Sequence, residues 1–237
     1  MTNPRTGHHM KRIISGIAIL AGINASFGQG SVGVANTPTT LFRTNLVGTT
    51  GSALSTMGPW YYEVLTAPST VTSVDASLQQ LLSAPWSDTG VTASNTGIAG
   101  RMAAAGGLGS VVNFWPAGQT NAFIIVGWNA AVGASWAAAA SRLQGENFSG
   151  VGGGWSGGGL DFGMYLGATT VGFRQAGGVV GGNTIPTASL FGTAPDPQGR
   201  PITTPTDMFT FIPEPSSCAL AGLGITALAI FRRKARS

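Results

Sequence analysis

Gly154-Trp155-Ser156-Gly157-Gly158 matches the pattern in which a strained turn presents a serine to a histidine base and a pair of oxyanion donors. The base is missing, because the chain's two histidines are His8 and His9. A serine hydroxyl without a base is a poor nucleophile, so the motif reads as a glycine-rich loop, not as a hydrolase elbow. Gly152, Gly154 and Gly157 imitate a dinucleotide-binding spacing, but no βαβ alternation surrounds them. Zinc or copper needs histidine or cysteine ligands, and the one cysteine, Cys218, sits in an apolar C-terminal stretch. Oxygen ligands remain, yet Asp161, Asp196 and Asp207 are too scattered to argue a site, so no metal and no cofactor are expected. Paired carboxylates suffice for glycoside hydrolysis; Glu63, Asp75, Asp88, Glu146 and Asp161 are available, and nothing in the sequence pairs them.

Aromatic rings are the other chemistry on offer. Trp60, Tyr61, Trp86, Trp115, Trp128, Trp136 and Trp155 could stack on sugar faces or fill a core, and in β domains the core claims most such residues. Trp155, set between glycine triplets, is the candidate for an exposed glycan-stacking ring. A sugar-binding module predicts aromatic residues exposed on one face, a glycan hydrolase predicts two carboxyl groups about 5 to 10 Å apart in a cleft, and a structural protein predicts neither.

The elements that would position these residues are mostly strands. Val32–Ala35, Trp60–Leu65, Val111–Trp115, Ala122–Trp128, Leu160–Val171 with Phe173, and Asp207–Ile212 are rich in aromatic or branched residues and bounded by Gly, Pro, Asn or Ser. Ala122–Trp128 is continuously apolar, as a strand buried on both faces would be. Ser135 followed by Trp136–Leu143 reads as a short capped helix, and Val74–Leu82 as another. The expected fold is mainly β: a single β-sandwich or jelly-roll-like domain with one or two short helices. With 37 glycines in 237 residues, its elements must be short and its turns frequent. Residues 29–194 form the β-rich body in this reading, and residues 195–212 an irregular lead-in followed by a last strand.

Charge separates the body from its ends. Between Gln29 and Ile212 five arginines meet seven carboxylates, a balance of −2, although the whole chain carries +4. The excess of positive charge lies in Arg5, Lys11 and Arg12 at one end and in Arg232, Arg233, Lys234 and Arg236 at the other. Both clusters flank apolar segments, which argues against nucleic acid as a partner and for membrane topology signals. Met10-Lys11-Arg12 followed by Ile13–Ile23 has the layout of a secretory signal peptide, with cleavage expected near Gly28 and residues 1–9 an upstream extension. Ser216–Phe231 is apolar or small throughout and is followed by the basic cluster, which the positive-inside rule places in the cytoplasm. Sixteen helical residues span roughly 24 Å against a hydrocarbon core of about 30 Å, which suits a transient span better than a permanent anchor.

Pro213-Glu214-Pro215, the Leu220/Gly222/Leu223/Gly224/Leu228 pattern and the Arg-rich end together closely resemble the PEP-CTERM sorting signal. That resemblance covers residues 213–237 and implies an exosortase as the partner that cleaves near the Pro-Glu-Pro motif during export. It also implies transient anchoring in the inner membrane of a Gram-negative bacterium and then release to the surface or the exopolysaccharide matrix. The prolines stop a helix and keep Glu214 in an extended segment just outside the membrane. From the Trp60-Tyr61-Tyr62 strand through the Phe123–Trp128 strand to Leu190-Phe191-Gly192, the body resembles PEP-CTERM proteins of verrucomicrobial type, a resemblance that supplies no catalytic residues. The expected role is that of a non-catalytic surface or matrix protein, with a carbohydrate-binding module and then a carboxylate-based glycan hydrolase as alternatives.

Overall fold

A computed structural model of the chain describes residues 28–46, 49–53, 59–75, 78–144, 147–149, 154–156, 163–210 and 225. The signal-peptide segment up to residue 27, the Pro213-Glu214-Pro215 motif, all of the span 216–231 except Ile225, and the basic end lie outside the described residues. Among the described residues no helix is long and apolar enough to cross a membrane.

The body is mainly β. Its first half contains β1 (Gln29–Gly33), β2 (Phe42–Leu46), β3 (Thr49–Ala53), β4 (Trp60–Pro68), β5 (Ser87–Asn95), β6 (Met102–Ala104), β7 (Ser110–Pro116) and β8 (Thr120–Asn129). A helix, α1 (Trp136–Leu143), follows. Then come β9 (Asn147–Ser149), β10 (Gly154–Ser156), β11 (Tyr165–Ala168), β12 (Gly172–Gln175), β13 (Gly178–Val180), β14 (Asn183–Ile185), β15 (Ala188–Ser189), β16 (Gly199–Arg200) and β17 (Thr206–Thr210).

A curled ten-stranded sheet runs β3-β2-β17-β11-β8-β4-β5-β6, with β12 also on β8 and β16 on β12. A second sheet has the order β15-β1-β7. One apolar core lies between them: Val32, Val112, Trp115, Leu190 and Phe191 meet Phe42, Tyr62, Val64, Phe123, Ile125 and Met208. Trp115 stacks on Phe123 at 6.0 Å between ring centroids, and Phe42 sits 4.7 Å from Tyr62. A second core covers the other face of the large sheet, where Leu65, Ile124, Val126, Trp128 and Leu166 are roofed by Leu78, Leu81, Trp86 and Ala139. The continuous apolar run of β8 follows from this arrangement, because alternate residues serve different cores and every residue from Asn121 to Trp128 is buried. Burying one large apolar side chain contributes roughly 1.5–3 kcal/mol, and β4 and β8 each send side chains into both cores.

The structure changes several expected elements. Leu160–Val171 with Phe173 is not one continuous strand: β11 and β12 both pair with β8 and are divided at Thr169. There the Thr169 hydroxyl accepts the Ile125 N–H at 3.0 Å, so a side chain takes over a rung of the ladder. Within Val74–Leu82 only Gln79–Leu82 is helical, as a 3₁₀ turn, with residues 76–77 outside the described set. The lead-in at 195–205 is more ordered than expected. Buried Arg174 pairs with Asp196 and donates from Nε to the Ser189 carbonyl at 2.7 Å, while β16 pairs with β12. The capped helix is as the sequence suggests, with Ser135 Oγ accepting the Ala138 N–H at 3.3 Å.

Candidate functional site

Tyr61 on β4 stands directly across from Trp128 on β8, and the pair opens onto the outer face of the large sheet. After β8 the chain turns back, and Trp128 Nε1 donates to the Gly133 carbonyl at 2.9 Å, which ties the turn to the sheet. The Ser135 cap then starts α1, whose first residue, Trp136, lies against Trp128 with ring centroids 5.9 Å apart. The Tyr61 ring also lies against Trp128, with centroids 6.3 Å apart. Three rings therefore border one cleft of about 370 Å³, with Thr92, Ser94 and Ser135 supplying hydroxyls around it. Trp128 is fully buried, whereas Tyr61 and Trp136 are half-buried and reach solvent. No lining side chain carries a charge, so the cleft offers flat apolar surface with neutral hydrogen-bonding groups.

One step along β4 from Tyr61, on the same face of the strand, lies Glu63. It is buried, with Oε1 lacking a hydrogen-bond partner, and its other carboxyl interactions are with exposed Asp88 and the Val64 backbone. Burial first, then the hydrogen bond and charge of Asp88, push the Glu63 carboxyl up to about 9, while the Val64 backbone amide opposes the shift. With its carboxyl pushed up to about 9, Glu63 is a neutral acid at pH 7. Glu63 and Asp88 lie on the neighbouring strands β4 and β5, where Asp88 stands in register with Leu65, the next residue on the same face as Glu63. Asp75 accepts from Gln80 Nε2 at 2.7 Å, and Asp196 is held by Arg174, which keeps its carboxyl below the ordinary value. Glu146 and Asp161 lie outside the described residues.

Of the aromatic residues named from the sequence, Trp60, Trp86 and Trp115 are buried in the two cores. Trp155 does not sit in an irregular loop: Gly154–Ser156 pairs as β10 with β9, Trp155 opposite Phe148. The side chain of Trp155 lies outside what is described. Sequence reasoning named Tyr61, Trp128 and Trp136 but had no means of grouping them, and it missed Thr92, Ser94 and Ser135 as their polar companions. Both depend on strand register across β4, β5 and β8, which leaves no local signature. Comparison of the chain with protein-family models, curated proteins and solved structures returns no match.

Proposed function

We propose that this chain is an exported, non-catalytic protein of the bacterial surface or extracellular matrix, sorted by an exosortase through Pro213-Glu214-Pro215, its apolar stretch and its basic end. The body is read as a β-sandwich in which the large sheet and the β15-β1-β7 sheet form the two layers. Supporting this reading is the position of β17, which lies inside the large sheet between β2 and β11 and ends at Thr210, immediately ahead of the motif. A cut near Pro213 would remove none of the strands described and release an intact body. Intact-mass analysis of membrane, cell and medium fractions from the native host, with and without a functional exosortase, tests it. Loss of the tail near Pro213 only when the enzyme is present is the expected result; a full-length tail in the membrane fraction of both strains overturns it.

A second reading, carbohydrate binding within the exopolysaccharide matrix, is favoured by the Tyr61–Trp136 cleft. The C–H face of a sugar matches its rings, and sugar hydroxyls match Thr92, Ser94 and Ser135. Trp136→Ala should weaken retardation of the protein in gels containing host exopolysaccharide by about tenfold, the equivalent of about 1.4 kcal/mol. Unchanged migration of a folded variant would remove the cleft from consideration.

A further inference from the structure

β7 departs from regular pairing with β1. Gln29 stands opposite Pro116 while the next residue, Gly30, stands opposite Val112, so Asn113, Phe114 and Trp115 bulge out against a single step of the partner strand. Val112 and Trp115 on either side are buried in the core, yet Phe114 is 74% exposed. Its φ is +57°, the left-handed region in which a bulky side chain is disfavoured and glycine is at ease. Phe114 therefore costs backbone energy and recovers almost nothing by burial. Strain of this kind, held in place by well-packed neighbours, marks a side chain aimed at something outside the fold.

The Phe114 ring borders a groove of about 320 Å³ whose walls include Thr66, Pro85, Ser87, Gln119 and Asn121. Asn121 Nδ2 donates to Thr66 Oγ1 at 3.2 Å, and that hydroxyl donates to the Ala122 carbonyl at 3.1 Å, so this wall is held by hydrogen bonds. Gln119 is exposed beside the ring. No lining residue is charged, which leaves nothing to select a uronate, a phosphate or a basic peptide. The volume fits a small ligand unit, whereas a protein partner requires roughly 800 Å² of contact per side. We propose that Phe114 is a stacking platform for a sugar ring of a neutral glycan, with the Ser87 hydroxyl and the Gln119 carboxamide receiving the sugar hydroxyls. The site is separate from the Tyr61–Trp136 cleft: the cleft lies where Tyr61 faces Trp128, the groove where Pro68 faces Asn121, roughly 23 Å away along β4.

This inference rests on the carbohydrate-binding reading, and its test separates the two. The full chain, its Phe114→Gly, Phe114→Trp and Trp136→Ala variants are run in gels containing dextran, mixed-linkage β-glucan, galactomannan or host exopolysaccharide, with alginate as a polyanionic control. Phe114→Gly relieves the strained backbone and should melt about 2–4 °C higher. It should nevertheless lose about tenfold in affinity for a neutral polysaccharide that retards the wild type, and Phe114→Trp should retain it. Lower melting of Phe114→Gly would make the ring a packing element and overturn the proposal. Unchanged retardation of Phe114→Gly beside a loss in Trp136→Ala would overturn it while leaving the carbohydrate reading intact. Retardation of the wild type by no neutral polysaccharide would sink both, and a change confined to self-association in sedimentation would replace the glycan with a second copy of the chain.

Discussion

Glu63 illustrates how far a single residue's environment departs from its type. A glutamate in a strand of mixed polarity reads as solvated, but the register of β4 turns it toward the second core, beside Val126. With the folded carboxyl titrating near 9 and the ordinary value at 4.5, the folded state keeps a proton that the unfolded chain releases between those pH values. Stability from this group is fully present below about 4.5, falls as pH rises, and is exhausted once pH passes about 9. Glu63→Gln keeps the neutral shape without the titration. Urea unfolding at pH 7 should show the variant more stable by about 3 kcal/mol, with a nearly flat profile from pH 5 to 8 where the wild type declines. Asp196 acts in the opposite sense: its lowered carboxyl supports the fold above the ordinary carboxylate range, and that support fades as pH falls through the depressed value. Its partner Arg174 is buried and also donates to Ser189, so Arg174→Ala should destabilise by about 2 kcal/mol in the same assay, through the unpaired Ser189 carbonyl and the emptied volume and not through Asp196, which stays solvated.

Strand glycines set how closely elements approach. Gly127 of β8 and Gly167 of β11 stand opposite each other, next to Met208 of β17. A β-carbon on Gly167 would run into the Asp207 carbonyl oxygen on the neighbouring strand, a backbone atom that cannot rotate away. Gly167→Ala should therefore cost about 2 kcal/mol by forcing β11 from β17, read as a lowered midpoint in thermal unfolding. The β13–β14 hairpin shows a signal that was present in the sequence: Gly181-Gly182 forms a two-residue connection with φ of +57° and +85°. β5 is harder to read, because Thr89, Val91 and Ala93 face inward from a stretch dominated by Ser, Thr, Asp and Gly. Its inward face is small and partly polar, which periodicity of hydrophobicity alone does not detect.

Over the whole molecule, the last strand described is not peripheral. β17 pairs in parallel with β2 and antiparallel with β11, and thereby joins the β2–β3 edge to the rest of the large sheet. A chain from Gln29 to Ile212 should melt as the full protein does, whereas one ending at Pro205 should lack a cooperative transition, as circular dichroism would report. Equal melting of the two fragments would mean that the sheet stands without β17 and would weaken the link between body and tail on which the sorting proposal draws.

Local chemistry in the sequence was sufficient for the mainly β character, the helix beginning at Ser135 and the double burial of β8, because alternation, capping and continuous apolar runs are short-range properties. It also excluded histidine- and cysteine-based chemistry in the body, since those side chains are absent between Gln29 and Ile212. Tertiary structure alone decided that Tyr61, Trp128 and Trp136 share a cleft, that Glu63 is buried, and that Phe114 stands exposed on a left-handed backbone. Each of these depends on strand register or on a bulge, and moving a strand by one residue exchanges its two faces without altering its composition.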